Sequence, residues 1–139
     1  EDQYAMVQGV LGGIGAVSLF VAAIGIANTM MMSIYERTKE IGIMKVLGCS
    51  LGRIRDLFLM EAGFIGLSGG AIGLALSYGI SAIINAVVGS SSGYSTLSYI
   101  PMWLAVVALV FAVIIGMLAG LMPALRAMKL SALSALRNE

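Results

Sequence analysis

Charged residues are scarce in this 139-residue chain. They make up 11% of the sequence, against about 25% in an ordinary soluble domain, while hydrophobic residues make up 60%. The net charge is only +1, so the chain as a whole gives no electrostatic reason to expect a nucleic-acid partner or an acidic substrate. This composition is far from that of a water-soluble domain, and the position of each charge is more informative than the sum.

Cysteine is nearly absent, and histidine is absent. The one cysteine, Cys49, cannot form an internal disulfide, and nothing around it has metal-ligand spacing. We interpret it as a small apolar residue in a turn, because a reactive thiol needs an exposed, electropositive setting. The sequence also lacks a GxxxxGK[ST] phosphate loop and a constellation of catalytic bases. We therefore expect no catalytic residue, metal or cofactor in this chain.

A basic leader is lacking as well. The sequence opens with Glu1, Asp2 and Gln3 and without methionine, whereas a signal peptide opens with a basic stretch. We expect the chain to be a piece of a longer protein or a trimmed product.

Three long runs without charge predict transmembrane helices at 7–34, 62–88 and 100–122. The first would be roughly 42 Å long, more than the roughly 30 Å hydrocarbon core, so it should tilt or protrude. The second is rich in glycine, but lipid holds such a segment helical because its backbone has no water to bond to. Pro101 stands at the start of the third run, and Pro123 is predicted to close it. A soluble helical core is the alternative, although uncharged runs beyond about 18 residues rarely occur in one.

The basic residues predict the topology, because they follow the first and third runs and leave the uncharged connection 89–99 as a turn. They are Arg37, Lys39, Lys45, Arg53, Arg55, Arg126, Lys129 and Arg137. The positive-inside rule places segments 35–61 and 123–139 in the cytoplasm and the N-terminus of this segment outside the plasma (inner) membrane. The predicted fold is all-α and integral to the membrane, with three transmembrane helices and a cytoplasmic hairpin after the first.

Pairs of glycine four residues apart predict close helix packing, either within the bundle or with a second copy. They are Gly9 with Gly13, Gly66 with Gly70, Gly69 with Gly73, and Gly116 with Gly120. The alternative interpretation is that glycine is simply common in membrane helices.

The segment 33–61 predicts two short amphipathic helices joined by a turn. Gly48 suits the left-handed residue that ends a helix, and Ser50 suits the start of the next. The apolar positions recur every three or four residues: Ile41, Met44 and Leu47, then Leu51, Ile54, Leu57 and Phe58. Glu36 with Lys39, and Arg37 with Glu40, are spaced to pair on one helix surface. A lipid-lying anchor is one interpretation, but the mixture of acids and bases makes a protein partner equally worth considering.

The stretch 37–50, RTKEIGIMKVLGCS, resembles the ERTxEIGxxKAxGAS signature of the FtsX-like permease family, the MacB-type membrane subunits of type VII ABC transporters. The similarity continues at 58–62, at the glycine-rich 66–73, and at 123–127 with 135–137, so that it extends from about Gly15 to the C-terminus. Ala132 and Ser134 depart from the usual proline and acidic residue of the family's ending.

The resemblance implies that the three helices correspond to the second, third and fourth of a four-helix permease with a large extracytoplasmic domain. It implies that 34–47 forms a coupling helix that docks on a cytoplasmic ATPase, with Ile41 filling an apolar pocket. The expected contact residues are Glu36, Arg37, Thr38, Glu40, Ile41, Gly42, Lys45 and Gly48. Glu61, the acid at the boundary of the second span, would either anchor that helix to Arg53, Arg55 or a neighbour, or simply reach water.

The expected function is that of a permease subunit of an ABC-type mechanotransmission complex. It would couple ATP binding and hydrolysis by a partner ATPase to export or to an extracytoplasmic action, and the expected partners are that ATPase, a second permease copy, the bilayer and an extracytoplasmic client. A non-transporting scaffold that regulates a cell-wall enzyme is one alternative. An ATPase-independent channel or secondary transporter is another, although these usually carry polar or ionisable groups at mid-membrane, where this chain has mainly Ser18, Ser77 and Ser81.

Overall fold

The computed structural model describes residues 2–92 and 98–130, with the side chains of 89–92 excepted. Four helices follow one another: α1 (Asp2–Glu36), α2 (Thr38–Val46), α3 (Leu51–Ser92) and α4 (Met102–Lys129). The described ranges contain no strand. Three of the helices, α1, α3 and α4, are long and apolar enough to cross a membrane. The predicted all-α, three-span fold is therefore confirmed.

Two helix boundaries beside the charged segments 35–61 and 123–139 differ from the sequence-based expectation. The second short helix of the hairpin is not separate, because its residues form the first turns of α3, which runs without a break for 42 residues or roughly 63 Å. No proline interrupts the chain between Leu51 and Ser92, so nothing forces that helix to stop.

Pro123 likewise does not end α4, which continues to Lys129. The proline and the two alanines after it, Ala124 and Ala127, are fully buried. Packing thus holds the last turns helical although proline removes one backbone hydrogen bond.

The antiparallel helices α3 and α4 face each other through small residues at every fourth position. These residues are Ala62, Gly66 and Gly70 on α3, and Ala112, Gly116 and Gly120 on α4. A Cβ atom added at Gly116 would lie 2.7 Å from the carbonyl oxygen of Ala62 and 3.1 Å from the Cα of Gly66. The two backbones are therefore in direct contact, which only small residues permit.

All four helices meet at one end of the bundle, which we call the charged end. It comprises the end of α1, all of α2, the start of α3 and the end of α4, and it holds every described charged residue except Asp2. Its core contains Met30, Ile34, Ile41, Ile54, Phe58, Ala62, Ala124 and Ala127. Because α2 is too short to hold itself helical in isolation, this shared core is what positions it.

The first helix joins this bundle through its last third only. Its buried residues are Met30 and Ile34, whereas every residue from Asp2 to Ala22 is exposed in this chain. At 35 residues, or roughly 52 Å, α1 is much longer than the hydrocarbon core.

At the opposite end of the bundle, polar side chains fix the segment that leads into α4. Asn85 Nδ2 donates to the Ser98 carbonyl oxygen at 2.8 Å, and the Ser98 amide donates back to Asn85 Oδ1 at 2.9 Å. Ser81 Oγ lies 2.9 Å from Ser98 Oγ. The turn predicted at 89–99 is wrong for residues 89–92, which continue α3 because neither proline nor charge interrupts it there. Residues 93–97 lie outside the described residues, as does the tail from 131 onward that carries Arg137 and the departures at Ala132 and Ser134.

Candidate coupling site at the charged end

The boundary between α1 and α2 is a break of one residue, Arg37. The Arg37 amide still donates to the Ser33 carbonyl oxygen at 3.0 Å, and its own carbonyl accepts from the Ile41 amide at 3.0 Å. The Thr38 hydroxyl lies 2.9 Å from the carbonyl oxygens of both Ile34 and Tyr35. A threonine that bonds back to the preceding turn in this way commonly bends a helix. Thr38 thus lies directly after the break and binds carbonyl oxygens of the last turn of α1.

The turn after α2 ends the helix as the sequence predicts. Gly48 has a φ of +83°, the left-handed conformation that other residues adopt at a cost. Its amide donates to the Lys45 carbonyl oxygen, and the Cys49 amide donates to that of Met44 at 2.9 Å. This is the Schellman arrangement, in which the last helical carbonyls find partners. Cys49 itself is half-buried against the core, consistent with its interpretation as an apolar turn residue.

Lys45 attaches α2 to the end of α4. Its ammonium donates to the Met128 carbonyl oxygen at 2.7 Å and also to the carbonyl oxygen of Leu130. These carbonyls belong to the end of a helix, where no backbone amide is available and where a positive charge is favourable. Desolvation lowers the pKa of Lys45 below the ordinary lysine value. The side chain that the family resemblance assigns to an ATPase contact thus forms an internal clamp.

Glu61 is paired with Arg37, at 3.5 Å between Oε2 and Nη1. This ion pair joins the α1–α2 break to α3. Of the alternatives considered for Glu61, the structure shows pairing with a neighbour, Arg37, and not with Arg53 or Arg55. Its side chains are 50% and 34% exposed, so it contributes at most about 1 kcal/mol. Within the described residues, Arg37 does not pair with Glu40, as the spacing had suggested.

The remaining expected pair, Glu36 with Lys39, is also not formed in the part of the chain that the structure describes. The other ion pair found there joins neighbours, Arg55 and Asp56, at 2.7 Å. The acids and bases on the outer face of α2 are therefore free to meet charges from outside the chain.

The expected contact residues divide into exposed and buried groups. Glu36, Arg37, Glu40 and Gly48 are exposed, whereas Thr38 and Lys45 are half-buried. Ile41 and Gly42 are buried, Ile41 completely, in the chain's own core. This burial corrects the expectation that Ile41 fills a pocket of another protein, because α2 turns that side toward α3 and α4.

Sequence reasoning overlooked the apolar surface that α2 does expose. It consists of Ile43 (45% exposed), Val46 (63%) and Leu47 (80%). Leu47 was assigned to the buried stripe with Ile41 and Met44, but it lies at the end of the helix, where the chain turns away. The sequence did contain a signal for this surface, because Ile43 and Val46 are also apolar and lie next to that stripe.

The paired glycines also divide into two groups. Gly66, Gly70, Gly116 and Gly120 lie in the α3–α4 contact. At Gly9, Gly13, Gly69 and Gly73, no described atom other than those of the adjoining helix backbone lies within 4 Å of an added Cβ. Ala62 and Ala112 complete the packed stripes and were missed. Their spacing of four from a glycine was the signal, since alanine is also small enough for such a contact.

Metal-ligating side chains are not clustered in the described residues. No group of three or more Cys, Asp or Glu side chains there could hold a metal ion. The charged end thus presents a short helix that packs against the long helices on one side and is exposed on the other.

Comparison with known sequences identifies the protein family. A family profile described as the FtsX-like permease C-terminal region matches residues 12–132. The chain belongs to the FtsX-like permease family. The matched range includes the whole of α2, the turn at Gly48 and the α3–α4 contact, so the FtsX-like resemblance drawn from residues 37–50 is confirmed.

Several curated relatives resemble the chain over nearly its full length. The ABC transporter permease YtrF of Bacillus subtilis is 42% identical over 91% of this chain and 31% of its own length. An uncharacterized ABC transporter permease of Methanocaldococcus jannaschii is 40% identical over 91% and 32%. The macrolide export ATP-binding/permease protein MacB of Bdellovibrio bacteriovorus is 40% identical over 93% and 19%. The chain thus spans a third or less of the length of each of these three relatives.

Proposed function

We propose that this chain is the C-terminal membrane part of a permease in an ABC-type mechanotransmission complex. In this proposal an ATPase pushes on α2, and the three long helices carry the movement through the membrane to drive export or an action outside the cell. ATP would be bound and hydrolysed by the ATPase, not by this chain. Family membership and the names of the relatives support the permease role.

The observation that carries the proposal is the attachment of α2. Ile41 packs into the core shared by the other three helices, and Lys45 binds the end of α4. A short helix held at two points cannot be displaced without moving the helices that hold it. Its outer face meanwhile offers charges and apolar groups to a partner.

The burial pattern refines the expected ATPase contact. Direct contact falls to the exposed Glu36, Arg37 and Glu40, together with the apolar Val46 and Leu47. The other expected residues, namely Thr38, Ile41, Gly42, Lys45 and Gly48, would position α2 instead. Charges of both signs would set the register of docking, since complementary charge mainly determines which partner fits.

Topology and assembly belong to the same proposal. The charged end would face the cytoplasm, because it holds all the described basic residues. Residues 2–22 of α1 are all exposed in this chain, which leaves a surface for a further helix of the permease and for a second permease copy. Gly9 and Gly13 are in this stretch, and Gly69 and Gly73 also face away from the bundle, so all four would serve such contacts.

Reversing one exposed charge tests the docking role. We expect Glu40→Lys in the full-length permease to abolish the stimulation of its ATPase in proteoliposomes while leaving membrane insertion intact. Asp56→Lys is the matched control, because it makes the same charge change at the same end of the bundle but on α3. Unchanged stimulation by Glu40→Lys, or equal loss in both variants, would contradict docking through α2.

Conduction by the chain alone is less well supported. The hydroxyls of Ser18 and Ser77 bond to carbonyl oxygens of their own helices, at 2.9 Å and 2.8 Å, and Ser81 bonds to Ser98. These groups are thus already satisfied and do not form a polar path. Flux through reconstituted permease without any ATPase would restore that alternative.

A further inference from the structure

A groove at the charged end lies between the last turns of α1 and of α4. It encloses about 190 Å³ and is lined by Met31, Ile34, Tyr35, Arg126, Lys129 and Leu130. Its α1 wall is apolar apart from the tyrosine hydroxyl, and both cations stand on α4. The groove therefore combines an apolar floor with a basic rim.

The two cations stand together and are not neutralised within the described chain. Arg126 and Lys129 are three residues apart, so they project from one face of α4. Both are exposed, and the ion pairs found among the described residues involve other cations. An anion at the rim would meet two positive charges.

The depth of the groove matches that of a lipid at the membrane boundary. Met31 and Ile34 end the first uncharged run, whereas Arg126 and Lys129 follow the third. A molecule in the groove would therefore have its apolar part at the level of the hydrocarbon and its anionic part at the headgroups. Basic pockets between transmembrane helices on the cytoplasmic side are known to suit anionic headgroups.

The short length of the groove argues against a helix of another protein as the occupant. Its α1 wall, from Met31 to Tyr35, covers little more than one helical turn, whereas a helix docked in a groove makes contacts over two turns or more. An acyl chain is much narrower and fits along the apolar floor. A soluble anion would leave that floor in contact with water, which is unfavourable.

We propose that this groove binds an anionic phospholipid of the inner leaflet, with its phosphate between Arg126 and Lys129 and an acyl chain against Met31 and Ile34. The proposal rests on the orientation given above, with the charged end in the cytoplasm. It also places the lipid beside the attachment of α2, because Leu130 lines the groove and its carbonyl oxygen accepts from Lys45. The bound lipid would then bridge α1 and α4 where the movement of α2 is transmitted.

Lipid retention by the purified full-length permease, measured by native mass spectrometry without an ATPase, tests the site. Phosphatidylglycerol should bind more tightly than phosphatidylcholine, and Arg126→Gln with Lys129→Gln should weaken phosphatidylglycerol binding about 30-fold, equivalent to about 2 kcal/mol at about 1 kcal/mol per cation. Lys129→Arg should retain binding. Lys39→Gln with Arg53→Gln is the matched control, since it removes two exposed cations at the same end but outside the groove.

Three results would overturn the proposal. The first is equal retention of phosphatidylglycerol and phosphatidylcholine by the unaltered protein. Because this comparison uses no variant, it tests the site even if the groove variant fails to fold. The second is an equal effect of the groove and control pairs. The third is a loss of ATPase stimulation in the groove variant with unchanged lipid binding, which would assign Arg126 and Lys129 to the ATPase. Because the lipid measurement needs no ATPase, its outcome is independent of the Glu40→Lys test.

Discussion

Adding one methyl group to the α3–α4 contact should separate the two helices. In Gly116→Ala, the new Cβ would lie 2.7 Å from the Ala62 carbonyl oxygen, whereas ordinary contact begins at 3.4 Å. The obstacle is backbone and cannot rotate away, and the Cα of Gly66 stands at 3.1 Å on the same side. The helices must therefore move apart by roughly 0.7 Å at this point, which is the difference between 3.4 Å and 2.7 Å. A gap of that size forfeits a quarter to a half of the dispersion energy of the atoms beside it.

The expected cost is about 1–3 kcal/mol, the usual range for overpacking a well-packed core. Alanine would recover less than about 1 kcal/mol through helix propensity, because lipid already holds the backbone helical. Gly79→Ala is the matched control on α3, since nothing lies within 4 Å of its added Cβ and no contact is proposed for it. It should leave stability unchanged or raise it slightly.

Unfolding of the full-length permease by SDS in mixed micelles would measure this difference. The reporter should be energy transfer between labels on α3 and α4, because helicity itself persists in SDS. Gly116→Ala should unfold at a lower SDS fraction than the unaltered protein, and Gly79→Ala should not. If the two variants shift the midpoint equally, the backbone contact at Gly66 and Gly116 is not what holds these helices together.

Two further predictions concern the anchoring of α2. Lys45→Met should destabilise the charged end by about 1–3 kcal/mol, because two carbonyl oxygens lose a charged donor, and amide hydrogen exchange in α2 should accelerate. Lys39→Met, on the exposed face, should change neither the stability nor the exchange rate. Equal exchange in both variants would contradict the role of Lys45 as a clamp. Gly48→Ala should lower thermal stability by about 1–2 kcal/mol, because Gly48 has a φ of +83°. Gly52→Ala, whose added Cβ meets nothing within 4 Å, should be neutral. A neutral Gly48→Ala would mean that the turn has another conformation.

Sequence patterns were sufficient where a property belongs to a run of residues or to one residue alone. Uncharged length identified the three long helices, and the left-handed turn at Gly48 followed from the one residue type that adopts it freely. The ends of the helices were harder to predict from the sequence. Pro123 signals a stop, yet α4 passes through it because Ala124 and Ala127 pack into the core.

The sequence predicted where the site lies along the chain, but it did not predict which way the side chains of the site point. The signature from Arg37 to Ser50 located α2, yet Ile41 and Lys45 face inward and Leu47 faces outward. Glu61 pairs with Arg37, 24 positions away in sequence, rather than with a residue on its own helix. A pair at that separation depends on which helices meet, and local spacing does not contain that information.

By itself, the sequence determined that the chain crosses a membrane and that its charge is gathered at one end. Hydropathy and charge add up along a segment and need no knowledge of its neighbours. Only the tertiary structure decided which glycines are in contact, because Gly66 and Gly69 differ merely in the face of α3 that meets α4. It also decided that Lys45 holds α4, since a side chain finds its partner only after the helices have taken their places.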